Sequence, residues 1–281
     1  MIVSRPVPFA DAIAALQAKG LMPTSLSSAQ LDQLSAEIRE RSFFSARVTN
    51  ADFLAQVYER IDKIVSPENR PAGEYMSPGR FRVELRDILN QLGYAPDPDD
   101  AGTIKDLRTD ARLNLIARMN ADSVRAYGQY MQGQEPAALD AFPAQELFRL
   151  EVRAEPRDWI SIWRGAGGRI VGGGRMVALL NDPIWERISR FGTPYPPYDF
   201  NSGMWTRPVS REEAEEFGLI APAEPVQSER RDLNQGVQAG IKSMPQPIQQ
   251  SLLDSMGGAG ELAQGILSLV GAARMIREAI S

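Results

Sequence analysis

Between residues 51 and 65 the apolar positions Phe53, Leu54, Val57, Tyr58, Ile61, Ile64 and Val65 recur at helical steps, and Asn50 is placed to cap the first turn. That spacing predicts a helix with one broad buried face. Similar stripes predict a short helix over 8–19 ended by Gly20, and another capped by Ser27 or Ser28 with Leu31, Leu34 and Ile38 on one side. After a loop over 67–78, Phe81, Leu85, Ile88, Leu89 and Leu92 mark a further helix closed by Gly93. The longest stripe is Leu113, Ile116, Asn120, Val124, Tyr127 and Met131, predicting a helix over 110–132 that starts at Thr109 or Asp110 and stops at Gly133. Asn120 is its one polar member. It is expected to hydrogen-bond to irregular chain covering the helix, since an unpaired buried polar group costs about 1–3 kcal/mol.

From about residue 143 the period breaks up. Pro156–Arg164 reads as a short helix with Trp159 and Trp163 one turn apart. A glycine-rich stretch, Gly165–Gly174, leads into an expected strand over 175–180, and Asp182-Pro183 signals a helical turn carrying Ile184, Trp185 and Ile188. Pro194–Met204, PYPPYDFNSGM, fits neither helix nor strand. Its prolines fix φ and lack a donor, so it reads as a semi-rigid strap that buries Tyr195, Tyr198 and Phe200 against the long helix. Ser210 and Glu213 make a capping box for a helix ended by Gly218. APAEPVQ (221–227) reads as a linker, followed by helices over 228–243 and 261–280. The second carries Leu262, Ile266, Leu269, Ala273, Ile276 and Ile280 on one face.

The pattern implies an α+β fold, mostly helical, with a small sheet or hairpin near 165–182 and helical terminal extensions. Three regions are expected: an N-terminal helical region over 1–95, a central domain over 96–220, and a linker with a C-terminal helical arm over 221–281. A 43% apolar, 24% charged composition suits a globular chain with a sizeable core.

The chain has no cysteine and no histidine, which excludes disulfides, thiolate zinc sites, Cys nucleophiles and any imidazole base or ligand. A net charge of −5 argues against whole-molecule affinity for DNA. The N-terminal MIVSRPVPFADAIAALQ lacks a signal-peptide h-region, and no run approaches a membrane span, so synthesis in the cytoplasm is expected.

Few motifs carry chemistry. The glycine stretch matches neither a P-loop nor a clean GxGxxG, and a hairpin is the simpler reading. Asp97, Asp99 and Asp100 lack the loop pattern of a calcium site, and Glu212, Glu213, Glu215 and Glu216 read as a solvated helix face. No catalytic, cofactor or metal residue is expected. Between Arg149 and Arg190 lie eight arginines and no lysine, with a local balance of +3. Arginine suits bidentate pairing and stacking on rings, so the region reads as an internal Arg–carboxylate network or a patch for a partner or nucleic acid.

The segments ARLNLIARMNADSVRAYGQYMQG (111–133), PAQELFRLEVRAEPRDW (143–159), GRMVALLNDPIWERISRFGTPYPPYDFNSGM (174–204) and VSREEAEEFGLI (209–220) resemble the Mu-type minor head, or head-morphogenesis, proteins of tailed bacteriophages. RSFFSARVTNADFL (41–54) resembles their N-terminal part. The family carries an Arg-Thr-Asn or Arg-Thr-Glu step on its long helix; here it is Arg118 and Asn120, with Met119 where threonine is usual. Its proline-aromatic segment corresponds to Pro194–Met204, here without the His and Cys of other branches. The resemblance spans about 41–220.

It implies a structural virion protein, not an enzyme, that acts in head assembly and docks on the portal or the major capsid protein inside the head. It implies no cofactor, no membrane, and an oligomeric state in the virion. The arginine-rich region adds an expected weak contact with packaged DNA. The interaction candidates are Arg118, Asn120, Arg157, Trp159, Trp163, Arg175, Trp185, Tyr195, Tyr198 and Phe200, with Leu262, Ile266, Leu269 and Ile276 on the arm. Two alternatives stand beside this: a head-to-tail connector or adaptor, and a carboxylate-dependent hydrolase such as a cell-wall-degrading enzyme.

Overall fold

A computed structural model of the chain describes residues 10–17, 19–34, 39–40, 42–65 and 76–230, and the backbone of 238–240, 261–263 and 266–268. In order, the elements are α1 (Ala10–Gln17), β1 (Gly20–Leu21), α2 (Ser28–Leu31), β2 (Ser42–Phe43), α3 (Ala51–Val65), α4 (Pro78–Gln91), α5 (Asp110–Gly133), α6 (Pro136–Ala141) and β3 (Ala144–Arg149). They continue as α7 (Trp159–Gly165), β4 (Ile170–Val171), β5 (Arg175–Leu179), α8 (Ile184–Ile188), β6 (Met204–Val209), α9 (Arg211–Glu216), β7 (Gln238–Gly240), β8 (Glu261–Ala263) and β9 (Ile266–Ser268). The fold is α+β, with helix the larger share.

Backbone contacts divide the chain into two compact units, Met1–Val124 with Leu233–Ser281, and Arg125–Asp232. The division lies inside α5, not at 95/96 where the sequence placed it. The reason is packing: Leu107, Leu113, Ile116, Ala117, Ala121 and Val124 share one buried cluster with Phe53, Leu54, Phe81 and Leu85. Two helix starts follow the predicted caps: Asn50 Oδ1 accepts from Phe53 N at 2.7 Å, and Ser27 forms a full capping box with Gln30. Ser77, within the expected 67–78 loop, caps α4 by accepting from Arg80 N at 3.2 Å.

In the second unit the central sheet is antiparallel, with strand order β4-β5-β3-β6. Alternation along the strands sends Leu147, Met176, Ala178 and Met204 to one face, where they pack with Trp163, Trp185 and Tyr198. Ala144, Val177 and Val209 face the other way and pack with Ala214 and Ile220. The glycine stretch is the expected hairpin: Gly172, Gly173 and Gly174 join β4 to β5 at φ of 43°, 79° and 108°, which side chains resist. β3 and β6 are additions to the predicted sheet.

Two expectations for the C-terminal region are corrected. Helices were expected over 228–243 and 261–280, but Gln238–Gly240, Glu261–Ala263 and Ile266–Ser268 form a three-stranded antiparallel sheet in the order β7-β9-β8. The pairing of Ala263 with Ile266 leaves only Gln264-Gly265 between the strands. Glycine favours such a two-residue connection and costs a helix interior about 1 kcal/mol. Leu269 and Ile276 lie outside the described residues. The second correction is that 221–230 is no free linker, because it lies along the second unit, bonded to Gln134 and Asn181.

Candidate functional site

The proline-aromatic strap connects α8 to β6. Its Pro196–Pro197 peptide bond is cis. Tyr195 is 4% exposed and meets α5 as predicted, its ring edge-on to Tyr127 at 5.7 Å and tilted against Tyr130 at 5.7 Å. Tyr198 departs from the expectation. It is fully buried against the sheet-side cluster, stacked on Trp185 at 6.0 Å, because Trp185 closes that face below it. Burial pushes the Tyr198 hydroxyl well up from its ordinary range, and its O–H donates to Pro194 O at 3.4 Å. Phe200 is half-buried and packs edge-on to Phe191 at 5.0 Å under the Arg190 guanidinium, again away from α5.

The indoles are structural neighbours. Trp163 and Trp185 meet at 5.2 Å; Trp163 Nε1 donates to Arg169 O and Trp185 Nε1 to Leu179 O, each at 2.8 Å. Each ring thus fixes a backbone carbonyl, Arg169 O just before β4 and Leu179 O at the end of β5, while filling the core. Trp159 is buried in the same cluster. Asp158 starts α7, which carries Trp159 and Trp163, its carboxylate accepting from Ser161 N at 3.0 Å.

The arginine-rich region is largely an ion-pair network. Glu146, on β3, is 5% exposed and lies between two arginines: Arg175 Nη2 at 2.6 Å and Arg207 Nη2 at 2.8 Å both reach its Oε2. Burial raises the Glu146 pKa and the two guanidinium groups lower it, with the net value below the usual carboxylate range. Arg175 also pairs with Glu213 and covers the Phe217 ring at 5.2 Å. Glu213 therefore spends its carboxylate on Arg175, while Ser210 Oγ still caps Glu213 N at 3.3 Å. Arg157 and Arg190 share Asp199 at 3.2 and 3.6 Å, and Arg157 Nη2 also donates to Phe200 O, tying α7's approach to the strap.

Of the remaining candidates, Arg118 is exposed on α5 and Asn120 is half-buried. Asn120 Nδ2 donates to Ile116 O of its own helix at 2.9 Å, not to covering chain, because a carbonyl one turn back is within reach of an Asn amide. Leu262 and Ile266 are strand residues, so the helical face assigned to them does not form in β8 and β9.

Sequence reasoning missed Glu146, Gln134 and Asn181. Gln134 is fully buried just past α5; its Nε2 donates to Asn181 Oδ1 at 2.5 Å and its Oε1 accepts from Glu229 N at 2.7 Å. Buried Gln145 and Glu146 in AQELFR broke the alternation that would have announced β3. In the first unit, burial lowers Lys19 to about 8, opposed by the Glu40 carboxylate. Arg112 clamps the 45–46 turn through Ser45 Oγ at 2.8 Å and Ala46 O at 2.6 Å.

Among the described residues no group of three or more acidic side chains could hold a metal ion, and no helix is long and apolar enough to cross a membrane. Large apolar side chains stand exposed on the second unit at Phe142, Leu150, Val152, Ile160 and Ile162, with Val152 91% exposed. Compared with protein-family models, curated proteins and solved structures, the chain matches none.

Proposed function

We propose that this chain is a structural virion protein of a tailed phage, a minor head protein that docks on the portal or the inner capsid. The order of its segments resembles that family, and one observation supports a docking role most directly. The rings and arginines of the second unit are engaged with one another, whereas Leu150, Val152, Ile160 and Ile162 stand out from a single stretch of chain. Four exposed apolar side chains within thirteen residues offer a partner apolar anchors, with Val152 the most exposed. An apolar outer stretch is suited to adhesion, and Arg157 ties that stretch to the 194–204 strap through Asp199 and Phe200 O.

The test is co-expression with the portal and major capsid proteins of the phage genome that encodes it. The wild-type chain is expected to copurify with one of them, and Val152→Asp with Ile160→Asp is expected to abolish this without changing the melting temperature. Failure to copurify with either, or retention by the double variant, would overturn the proposal.

A further inference from the structure

Residues 221–230 are held on the second unit almost wholly by polar groups. Asn181 Nδ2 donates to Gln227 O at 2.6 Å, Ser228 O–H donates to Gln134 O at 2.9 Å, and Glu229 N donates to Gln134 Oε1 at 2.7 Å. Arg230 pairs with Glu135, and Tyr130 O–H reaches Glu229 O at 3.4 Å. Val226 alone is half-buried; the other nine side chains of the segment are exposed. The Gln134–Asn181 amide pair is thus a slot that reads the backbone of this irregular segment, taking Gln227 O and Glu229 N. The segment enters through a tight turn: Glu224 N donates to Ala221 O at 3.1 Å, with Pro222 at the second position and Ala223 at the third. Ala223 has φ of 59°, where glycine is the usual occupant and a Cβ is strained.

We infer that this strap exchanges between copies of the chain, the segment Val226–Arg230 of one copy seating in the Gln134–Asn181 slot of another. The occupant is argued from the slot itself, since the segment that fits it is already seated there. On exchange every strap contact is remade with a partner's identical groups, so their energies cancel. What differs is the hinge. Opening the 221–224 turn releases Ala223 from positive φ. It trades the exposed bonds of Ala221 N to Glu224 Oε2, Ala223 N to Glu215 Oε1 and Arg211 Nη1 to Glu224 O for bonds to water. A short, proline-containing hinge under strain therefore favours the exchanged form at high local concentration. A ring of copies, or copies gathered at one site, supplies that concentration.

The full chain contains no cysteine, so two introduced thiols are unique. Chains carrying Glu135→Cys and chains carrying Arg230→Cys are mixed, unfolded and refolded together at high concentration, then treated with a short bismaleimide. Exchange predicts a covalent heterodimer of the two variants and none from either alone. Ala223→Gly, which relieves the hinge, is expected to lower its yield by about fivefold. Ala223→Pro, which cannot take positive φ, is expected to raise it. A single chain carrying both cysteines is the control. Internal cross-linking of that chain with no heterodimer at any concentration shows a strap confined to its own slot, and overturns the inference. Heterodimer insensitive to both hinge variants overturns it as well. No other phage protein enters the experiment, so its failure leaves the docking proposal standing.

Discussion

At Glu146 burial and pairing oppose each other, and pairing with Arg175 and Arg207 wins. A carboxyl whose folded pKa is depressed contributes stability that is fully present above its unfolded value, near 4.3, and is lost as pH falls through the folded value. Glu146→Gln should therefore cost about 1–3 kcal/mol at pH 7, discounted because the Arg207 side chain is 56% exposed and screened. The gap from wild type should shrink as the pH drops below about 4. Urea midpoints at pH 7 and pH 3.5 check this, and an unchanged gap would remove Glu146 from the acid response. Close packing makes a second residue-scale case. A Cβ on Gly168 would come within 2.3 Å of Trp163 Nε1, part of a rigid buried ring, whereas one on Gly165 would meet nothing within 4 Å. Gly168→Ala should destabilise by about 1–3 kcal/mol and Gly165→Ala by far less. Equal thermal shifts for the two would contradict the Trp163 packing.

The strap over 194–204 divides its rings between two surfaces, so its side chains should not be equivalent. Tyr195→Ala removes a buried ring from α5 and should cost about 3 kcal/mol, while Phe200→Ala, half-buried, should cost about 1 kcal/mol. Denaturant titration of both variants tests that order. The strap over 221–230 gives another comparison. A chain ended after Arg230 keeps the bonds to Gln134, and one ended after Pro225 strands that fully buried amide, so the shorter chain should melt at the lower temperature. Elements with a strong period or a cap were legible in the sequence: α3 from its stripe behind Asn50, α5 behind Thr109, and β5 between Gly174 and Asp182. β3 was hidden because Gln145 and Glu146 face inward beside Ala144 and Leu147, giving no alternation to read. The arm was misread because Leu262 and Ile266 lie four apart, a spacing that strands paired across Gln264-Gly265 also produce. Of the site, the rings were visible as residue types, but their partners were not. Tyr198 meets Trp185 only because the strap folds back over α8, and Glu146 meets Arg207, 61 residues away, only because β3 pairs with β6.

At the scale of the whole molecule, the first core takes Leu113, Ile116, Ala117, Ala121 and Val124 from α5, the second is built from the sheet, α7, α8 and the 194–204 strap, and a chain with two cores need not unfold in one step. All four tryptophans, Trp159, Trp163, Trp185 and Trp205, belong to the second unit, and the first has none. Trp163 and Trp185 are fully buried, so their emission should shift to the red only when that core opens. Helical circular dichroism, in contrast, weighs α1, α3, α4 and the first turns of α5 in the first unit. Glu146→Gln should move the fluorescence midpoint, and Phe81→Ala, in the first core, should move the dichroism midpoint by more. Coincident shifts of both signals in both variants would mean one cooperative block. The placement of the indoles thus gives the unlabelled chain two optical channels, one tuned to each core.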